Sequence, residues 1–331
     1  MARRPLDEVI EAGPPVNPIR FRPPIYHRAR RADDVIVYDS ATQLYFPASR
    51  VLFRDYLTAA YTSTSIRASG RTIDSLRYAP IAYWRIPSKQ QVKTLSGYIE
   101  VCHVLKRSFG EHNRQASSDQ VGYVSDQDKD NDIVFCLSTE KVAIKSHQWD
   151  VTRRLQGHHA ENPLNEIAAM QSLPTHPNVL TCTEVLFDGE NLHVVMPFIS
   201  RGDLHDRMEY IKRTNPHPPL SFRGLSETEA HYYFCQLLNG IRHLQANGLC
   251  HRDLSPENVM FSEDYQTVVI DLGMSLLVPY SSSDGTDTVT DVRRGRVRRL
   301  ILPQHACGKL RYISPEVFIS REPFDGFSVD M

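Results

Sequence analysis

The chain has 331 residues, 38 Lys and Arg against 39 Asp and Glu, and a formal net charge of −1. That length supports one large or two modest domains with a sizeable core. The balanced charge excludes a global field drawing the chain to nucleic acid or a membrane surface, so neither is an expected partner. Six scattered cysteines (Cys102, Cys136, Cys182, Cys235, Cys250, Cys307) form no C-x-x-C pair. They read as reduced thiols of an intracellular protein, cytoplasmic or nuclear, not as a disulfide framework or zinc site. No apolar run approaches bilayer-spanning length, and Met1-Ala2-Arg3-Arg4-Pro5 leads into no apolar core, so a signal peptide is not expected.

Residues 1–95 read as a Pro/Arg-rich N-terminal extension, partly disordered. Pro14-Pro15, Pro23-Pro24 and the arginines from Arg20 to Arg31 describe a solvated beginning. Asp33 and Asp34 follow the basic cluster at once, as in an ordinary solvated charge run. Val35-Ile36-Val37-Tyr38 suggests a short strand, whereas Val51-Leu52-Phe53 and Tyr56 to Tyr61 have helix-like apolar spacing. A weakly ordered arm is favoured over a small folded appendage.

From Gly97 the pattern is strand-rich. Tyr98 to Leu105 reads as the first strand of a β-rich region. Asp132 to Leu137, a turn at Ser138-Thr139-Glu140, and Lys141 to Lys145 read as a hairpin ending Val142-Ala143-Ile144-Lys145. Leu164 to Leu173 is a helical pattern carrying Glu166. Two strands with a turn at Asp188-Gly189 follow, and the second runs into Pro197-Phe198-Ile199-Ser200-Arg201-Gly202-Asp203. A long helix then opens on a capping box, Ser226 and Glu229, and closes before Gly248. Its stripe of Ala230, Tyr233, Phe234, Leu237, Leu238, Ile241 and Leu244 reads as core.

That helix delivers the chain to Leu249-Cys250-His251-Arg252-Asp253-Leu254-Ser255-Pro256-Glu257-Asn258. Alone, a His-Arg-Asp triplet means little, and its bland reading is a salt-bridged surface turn. Here an Asn stands five residues after the Asp, and the apolar run Val268-Val269-Ile270 ends on Asp271-Leu272-Gly273. Such a set suits phosphoryl transfer. One carboxylate orients an attacking hydroxyl, while an amide oxygen and a second carboxylate hold magnesium against phosphates. The order resembles the eukaryotic protein kinase family, H-R-D-x-x-x-x-N then D-F-G, with V-A-I-K earlier and a closing Gly308-Lys309-Leu310-Arg311-Tyr312-Ile313-Ser314-Pro315-Glu316. Leu254 to Asn258 is nearer the serine/threonine branch than the tyrosine branch.

The resemblance covers residues 96–331 and implies an α+β, two-lobed kinase-like fold. Its small lobe would have five strands over about 96–199, with a helical large lobe over about 200–331. The chain stops at Met331, just after the Asp330 that matches the start of a large-lobe helix. The expected large lobe is therefore incomplete and exposes apolar surface. Asp253 would orient the substrate hydroxyl, Asn258 and Asp271 would hold Mg2+, and Lys145 paired with Glu166 would position the phosphates of ATP. Ala143, Met196, Pro197, Ile199, Asp203 and Met260 would surround the rest of the nucleotide, Pro197 through its carbonyl and Ile199 through its N–H. Arg252 would pair with a phosphorylated residue of the 281–290 loop, which implies an upstream kinase besides the protein substrate. The arginines from Arg293 to Arg299 read as a docking or localisation patch in a flexible loop.

Ser255 stands where the family usually has Lys, and Lys309 where it usually has Thr. Either the ammonium and hydroxyl have exchanged places beside Asp253, or both positions have relaxed. No G-x-G-x-x-G is present. The candidate phosphate loops, Lys106 to Glu111 and Val121 to Val124, have one glycine each, and Asp126 to Asp132 adds negative charge nearby. Leu272 for Phe keeps an apolar plug. The expected activity is ATP-dependent phosphorylation of protein Ser/Thr. The alternative is a catalytically inactive kinase-like module binding nucleotide or a partner.

Overall fold

A computed structural model of the chain describes residues 9–10, 14–54, 81–107, 135–155, 162–214, 224–281, 288–291, 295–319 and 321–331. Helices and strands are mixed throughout, and the chain divides into two compact units. One comprises Met1–Ile25, Asp150–Cys182 and Ile199–Met331, and includes β1 (Val9–Ile10). The other comprises Tyr26–Trp149 and Thr183–Phe198.

Among the described residues this second unit is a sheet of ten strands: β2 (His27–Ala32), β3 (Val35–Asp39), β4 (Leu44–Ala48), β5 (Val51–Arg54), β6 (Ile81–Arg85), β7 (Val92–Lys93), β8 (Gly97–Arg107), β9 (Phe135–Gln148), β10 (Glu184–Phe187) and β11 (Asn191–Pro197). Neighbours run β8-β6-β5-β2-β10-β11-β9, and β9 pairs back onto β8. Seven strands thus close on themselves, which removes the open edges that an isolated sheet presents. All seven contribute to one buried cluster: Ala29, Leu52, Tyr83, Cys102, Val104, Val142, Ile144, Leu186 and Val195. The β3–β4 hairpin joins outside this ring through the parallel pairing of Val37 with Phe135. There Val37, Ala48, Val51, Phe53, Ala82, Leu105 and Phe135 form a second cluster.

Three sequence readings change here. The expected arm is folded over 27–54 and 81–93, whose strands supply three members of the ring. Val51-Leu52-Phe53 is a strand, not a helical turn. Its unbroken apolar run reflects burial on both faces, Leu52 inside the ring and Val51 and Phe53 in the outer cluster. The expected hairpin at 138–140 is one continuous strand, β9. With no Gly or Pro to turn the chain, the extra residues opposite His103 and Leu105 are absorbed as a register shift.

In the first unit lie α2 (Pro163–Ser172), after α1 (Trp149–Leu155), then α3 (Leu204–Thr214), α4 (Glu227–Ala246) and α5 (Pro315–Ile319). Short strands connect them: β12 (Leu249–Cys250), β13 (Val259–Phe261), β14 (Thr267–Val269), β15 (Leu276–Leu277), β16 (Tyr280–Ser281), β17 (Thr288–Asp291) and β18 (Arg296–Arg299). The capping box of α4 forms as expected, and Gly248 takes φ 77° after its last turn. The predicted stripe is only partly core. Tyr233, Ile241 and Leu244 are buried, but Ala230 is exposed and Phe234 is 56% exposed. Gln236 and Gly240 are buried instead, Gly240 because a Cβ there would stand 2.7 Å from the Asn178 carbonyl oxygen.

Residues 9–10 and 14–25 run as a strap along this unit. β1 pairs in parallel with β16, the Val16 N–H donates to Leu300 O (3.2 Å), and the Leu302 N–H donates to Val16 O (2.9 Å). The Ile19 N–H reaches Leu277 O, and Ile25 exchanges two hydrogen bonds with the Gln171 side chain near the end of α2. The stretch expected as a flexible arginine loop is therefore a strand at 296–299. Arg298 forms a bidentate pair with Asp325, and buried Arg299 donates to Pro14 O.

Candidate active site

Strand alternation decides where Lys145 points. Val142 and Ile144 face the ring interior, so Ala143 and Lys145 face outward. Lys145 is paired with Ile99 on one side and Val194 on the other, while Ala143 stands opposite Met196 and Val142 opposite Pro197. Four expected nucleotide residues, Ala143, Lys145, Met196 and Pro197, thus meet on adjacent strands. Ile199 begins the next segment of the other unit and is half-buried.

The same register sets which connection lies at the Lys145 end of the ladder. Arg107 pairs with Phe135 at one end of the β8–β9 ladder, and Gly97 with His147 at the other. Lys145 stands ten residues from the Phe135 end, about 33 Å at ~3.3 Å per residue. The loops near Gly110 and Gly122 lie outside the described residues, except Lys106 and Arg107, and they join the ladder at the far end. The connection at the Lys145 end is 86–96, between β6 and β8. It is held by Ile86 N–H to Val101 O and Thr94 N–H to Gly97 O. It has no glycine before Gly97 and carries Lys89 and Lys93, so a search for glycines passes over it. Gly97 serves the ladder, since a Cβ there would collide with the Ser146 carbonyl oxygen. Beside it, buried His147 meets Ser96 Oγ through Nδ1 (2.6 Å). Burial, helped by the Lys145 charge, holds the His147 pKa down to about 3.

In the other unit a buried carboxylate fixes the backbone of the catalytic motif. Asp330 accepts from the N–H groups of His251 (2.6 Å) and Arg252 (2.7 Å). Burial raises its pKa, opposed by His251 and by these two hydrogen bonds. His251 Nε2 donates to Ile270 O (2.9 Å) while Nδ1 accepts from the Asp253 N–H (3.3 Å). Arg252 and Asp271 have φ 69° and 63°, a left-handed backbone that side chains adopt only when the surroundings hold it.

Asn258 Nδ2 donates to Asp253 O (2.8 Å) and Oδ2 (2.9 Å), and the Lys309 N–H donates to Oδ1 (3.0 Å). The carboxylate is thus held from both sides. The β13–β14 hairpin brings the Ile270 N–H to Asn258 O (3.0 Å), so Asp271 follows directly across from Asn258. Both N–H bonds of the Asn258 amide go to Asp253, which leaves its oxygen available to a cation. With the Asp271 carboxylate it makes a hard, all-oxygen pair that fits Mg2+.

Arg252 does not wait for a phosphate. Its guanidinium donates to Cys307 Sγ (2.6 Å), His305 O (3.4 Å) and Met274 O (3.5 Å). Of its expected partners, Ser281 is fully buried in β16, Thr288 and Thr290 lie in β17, and residues 282–287 are outside the described residues. Asp203 and Met260 meet in a β-bridge, and Asp203 also caps α3 by accepting from the Asp206 N–H (2.7 Å). Glu166 lies buried in the first turn of α2, after the N-cap Asn162. The Asn165 side chain ties that turn to Ser275 O (2.9 Å), just after the Asp-Leu-Gly. Asp330, Cys307 and Asn165 carry no site role in the sequence reading. Only Asp330 leaves a signal there, as an acid matching the family pattern.

A family model, Protein kinase domain, matches residues 133–331, more than half of the chain. The chain belongs to the protein kinase family. CBL-interacting serine/threonine-protein kinase 15 of Arabidopsis thaliana is 31% identical over 192 residues, 58% of this kinase chain and 38% of its own length. CBL-interacting protein kinase 4 of Oryza sativa subsp. japonica is 33% identical over 171 residues, 52% of the chain and 32% of its own length. CBL-interacting protein kinase 9 of the same plant is 30% identical over 166 residues, 50% of the chain and 30% of its own length. This kinase spans about a third of the length of the curated relatives it matches. Protein kinase domains generally use ATP and Mg2+.

Proposed function

We propose that the chain is an ATP-dependent protein kinase that phosphorylates Ser or Thr of protein substrates. The observation that carries this reading is Asp253, a carboxylate clamped between Asn258 and the Lys309 N–H, on a loop whose backbone Asp330 fixes. A base held so firmly orients a hydroxyl without reorganising during the reaction. In this reading the seven-stranded ring is the small lobe and the first unit the large one. Lys145 binds the nucleotide phosphates with Glu166 as its counter-ion, and Ala143, Met196, Pro197, Ile199, Asp203 and Met260 take the adenosine. Asn258 and Asp271 hold Mg2+, which when bound neutralises charge on the phosphates.

The Ser/Thr O–H loses its proton toward Asp253 as its oxygen bonds to the γ-phosphorus. The bond from that phosphorus to the bridging oxygen breaks, and its electron pair leaves with ADP. Incubation with ATP, Mg2+ and a Ser/Thr peptide library, with phosphosites read by mass spectrometry, tests this. The reading expects phosphopeptides from the wild type and none from Lys145→Met.

A second reading, nucleotide binding without transfer, is favoured by one observation: loop 86–96 has no glycine to bring backbone N–H groups onto phosphate. Thermal stabilisation by ATP with Mg2+, without phosphopeptides, would establish it.

A further inference from the structure

Phosphoryl transfer builds negative charge on the transferred group and needs a cation next to it. The catalytic loop has a deficit there. Residues 253–258 are Asp-Leu-Ser-Pro-Glu-Asn, without a cation, and Arg252 is committed to Cys307 and two carbonyls. The closing segment makes up the deficit. Gly308, at φ 96°, lets its backbone approach so closely that a Cβ would lie 2.9 Å from Arg252 O and 3.5 Å from Asp253 Oδ1. The next residue, Lys309, binds Asp253 through its N–H, and its ammonium donates to Ser255 Oγ (2.7 Å). The ammonium also lies 3.5 Å from Glu257 Oε2.

Resting on the kinase reading above, we propose that Lys309 is the cation that accompanies the transferring phosphoryl group, with buried Ser255 as the residue that positions it. Two features carry this assignment. The ammonium is bonded to Ser255, which is on the same short loop as the base, two residues from Asp253, and the side chain of Lys309 is 39% exposed. It is therefore both anchored and open to an incoming phosphate. A solvated lysine on a relaxed position would not share its ammonium with a buried hydroxyl. The second feature is reciprocity: the hydroxyl stands on the catalytic loop and the ammonium on the closing segment, so reversing both residues rebuilds the same pair.

A double-mutant cycle tests this in the full chain, with Ser255→Lys, Lys309→Thr and both together. The proposal expects each single variant to lose about 10- to 100-fold in kcat, with the peptide KM within about twofold. The double variant should recover to within about tenfold of wild type. Independent of turnover, Lys309→Thr should weaken binding of a non-hydrolysable ATP analogue about tenfold and leave ADP binding unchanged. Losses that simply multiply, or equal loss for the analogue and ADP, would overturn the assignment. A poorly folded Ser255→Lys still leaves the analogue-against-ADP comparison decisive. A wild type that transfers no phosphate overturns the kinase reading. An active wild type with Lys309→Thr unchanged overturns only this inference.

Discussion

Lys145 and Asp253 are held in opposite ways. Lys145 sits within a fourteen-residue strand hydrogen-bonded on both sides, over a ring interior to which seven strands contribute. Asp253 sits on a turn after a two-residue strand, its backbone held by one buried carboxylate and flanked by left-handed Arg252. The first spreads its support over many small contributions. The second concentrates it in a few polar contacts, so single substitutions should separate the two regions.

The largest effect is expected from Asp330→Ala. It strands the buried His251 N–H, at about 1–3 kcal/mol, and the part-buried Arg252 N–H, and frees the catalytic loop. Turnover should fall at least about a thousandfold and thermal unfolding should shift down. Turnover within tenfold of wild type would show that the loop is held elsewhere.

Leu52→Ala attacks the other region. A buried leucine truncated in a packed interior costs about 2–5 kcal/mol, so denaturant unfolding should register that loss. Well below the melting temperature kcat should stay within about twofold, because the ring loses one contact among many. A large fall in kcat without a stability loss would reverse the comparison.

How much of this was legible follows the same division. The catalytic loop is local: Asp253, Asn258 and Asp271 lie within nineteen residues, and their spacing is the chemistry. The ring is not local. His27 pairs in parallel with Leu186, far along the chain, which puts Ala29 and Leu186 in one cluster, and no pattern within 27–54 announces such a partner. Val51-Leu52-Phe53 misled because both its faces are buried, which erases the alternation that marks a strand. Loop 86–96 was hidden by its chemistry, having lysines where glycines were sought. Cys307 beside Arg252 was invisible because the contact depends on how the closing segment folds back.

Smaller effects sharpen the contrast within the first unit. Val16→Pro removes the N–H that bonds Leu300 O and places a ring in a strand pairing. Limited proteolysis should cut residues 288–302 about tenfold faster, while the melting temperature falls by only a few degrees. Unchanged cleavage would show that the strap does not order this segment.

His147 should set a modest pH dependence. Its folded pKa is depressed to about 3, against an ordinary 6.5. The unfolded chain therefore binds the extra proton between those values, and stability falls as pH drops through that window. The slope from this one group approaches about 1.4 kcal/mol per pH unit. His147→Gln should flatten the fall between pH 6.5 and 4.5, measured by urea unfolding. An identical slope would assign the dependence to other groups.

In the proposed function Asp253, clamped by Asn258 and the closing segment, makes this chain a phosphotransferase. The most direct measurement is transfer of labelled γ-phosphate from Mg·ATP to a Ser/Thr peptide, comparing wild type with Asp253→Asn. The substituted amide is isosteric, and melting temperatures verify that both proteins are folded. Transfer by the wild type and a loss of at least about a thousandfold in the variant are expected. Equal transfer by both, or none by a folded wild type that binds Mg·ATP, would contradict it.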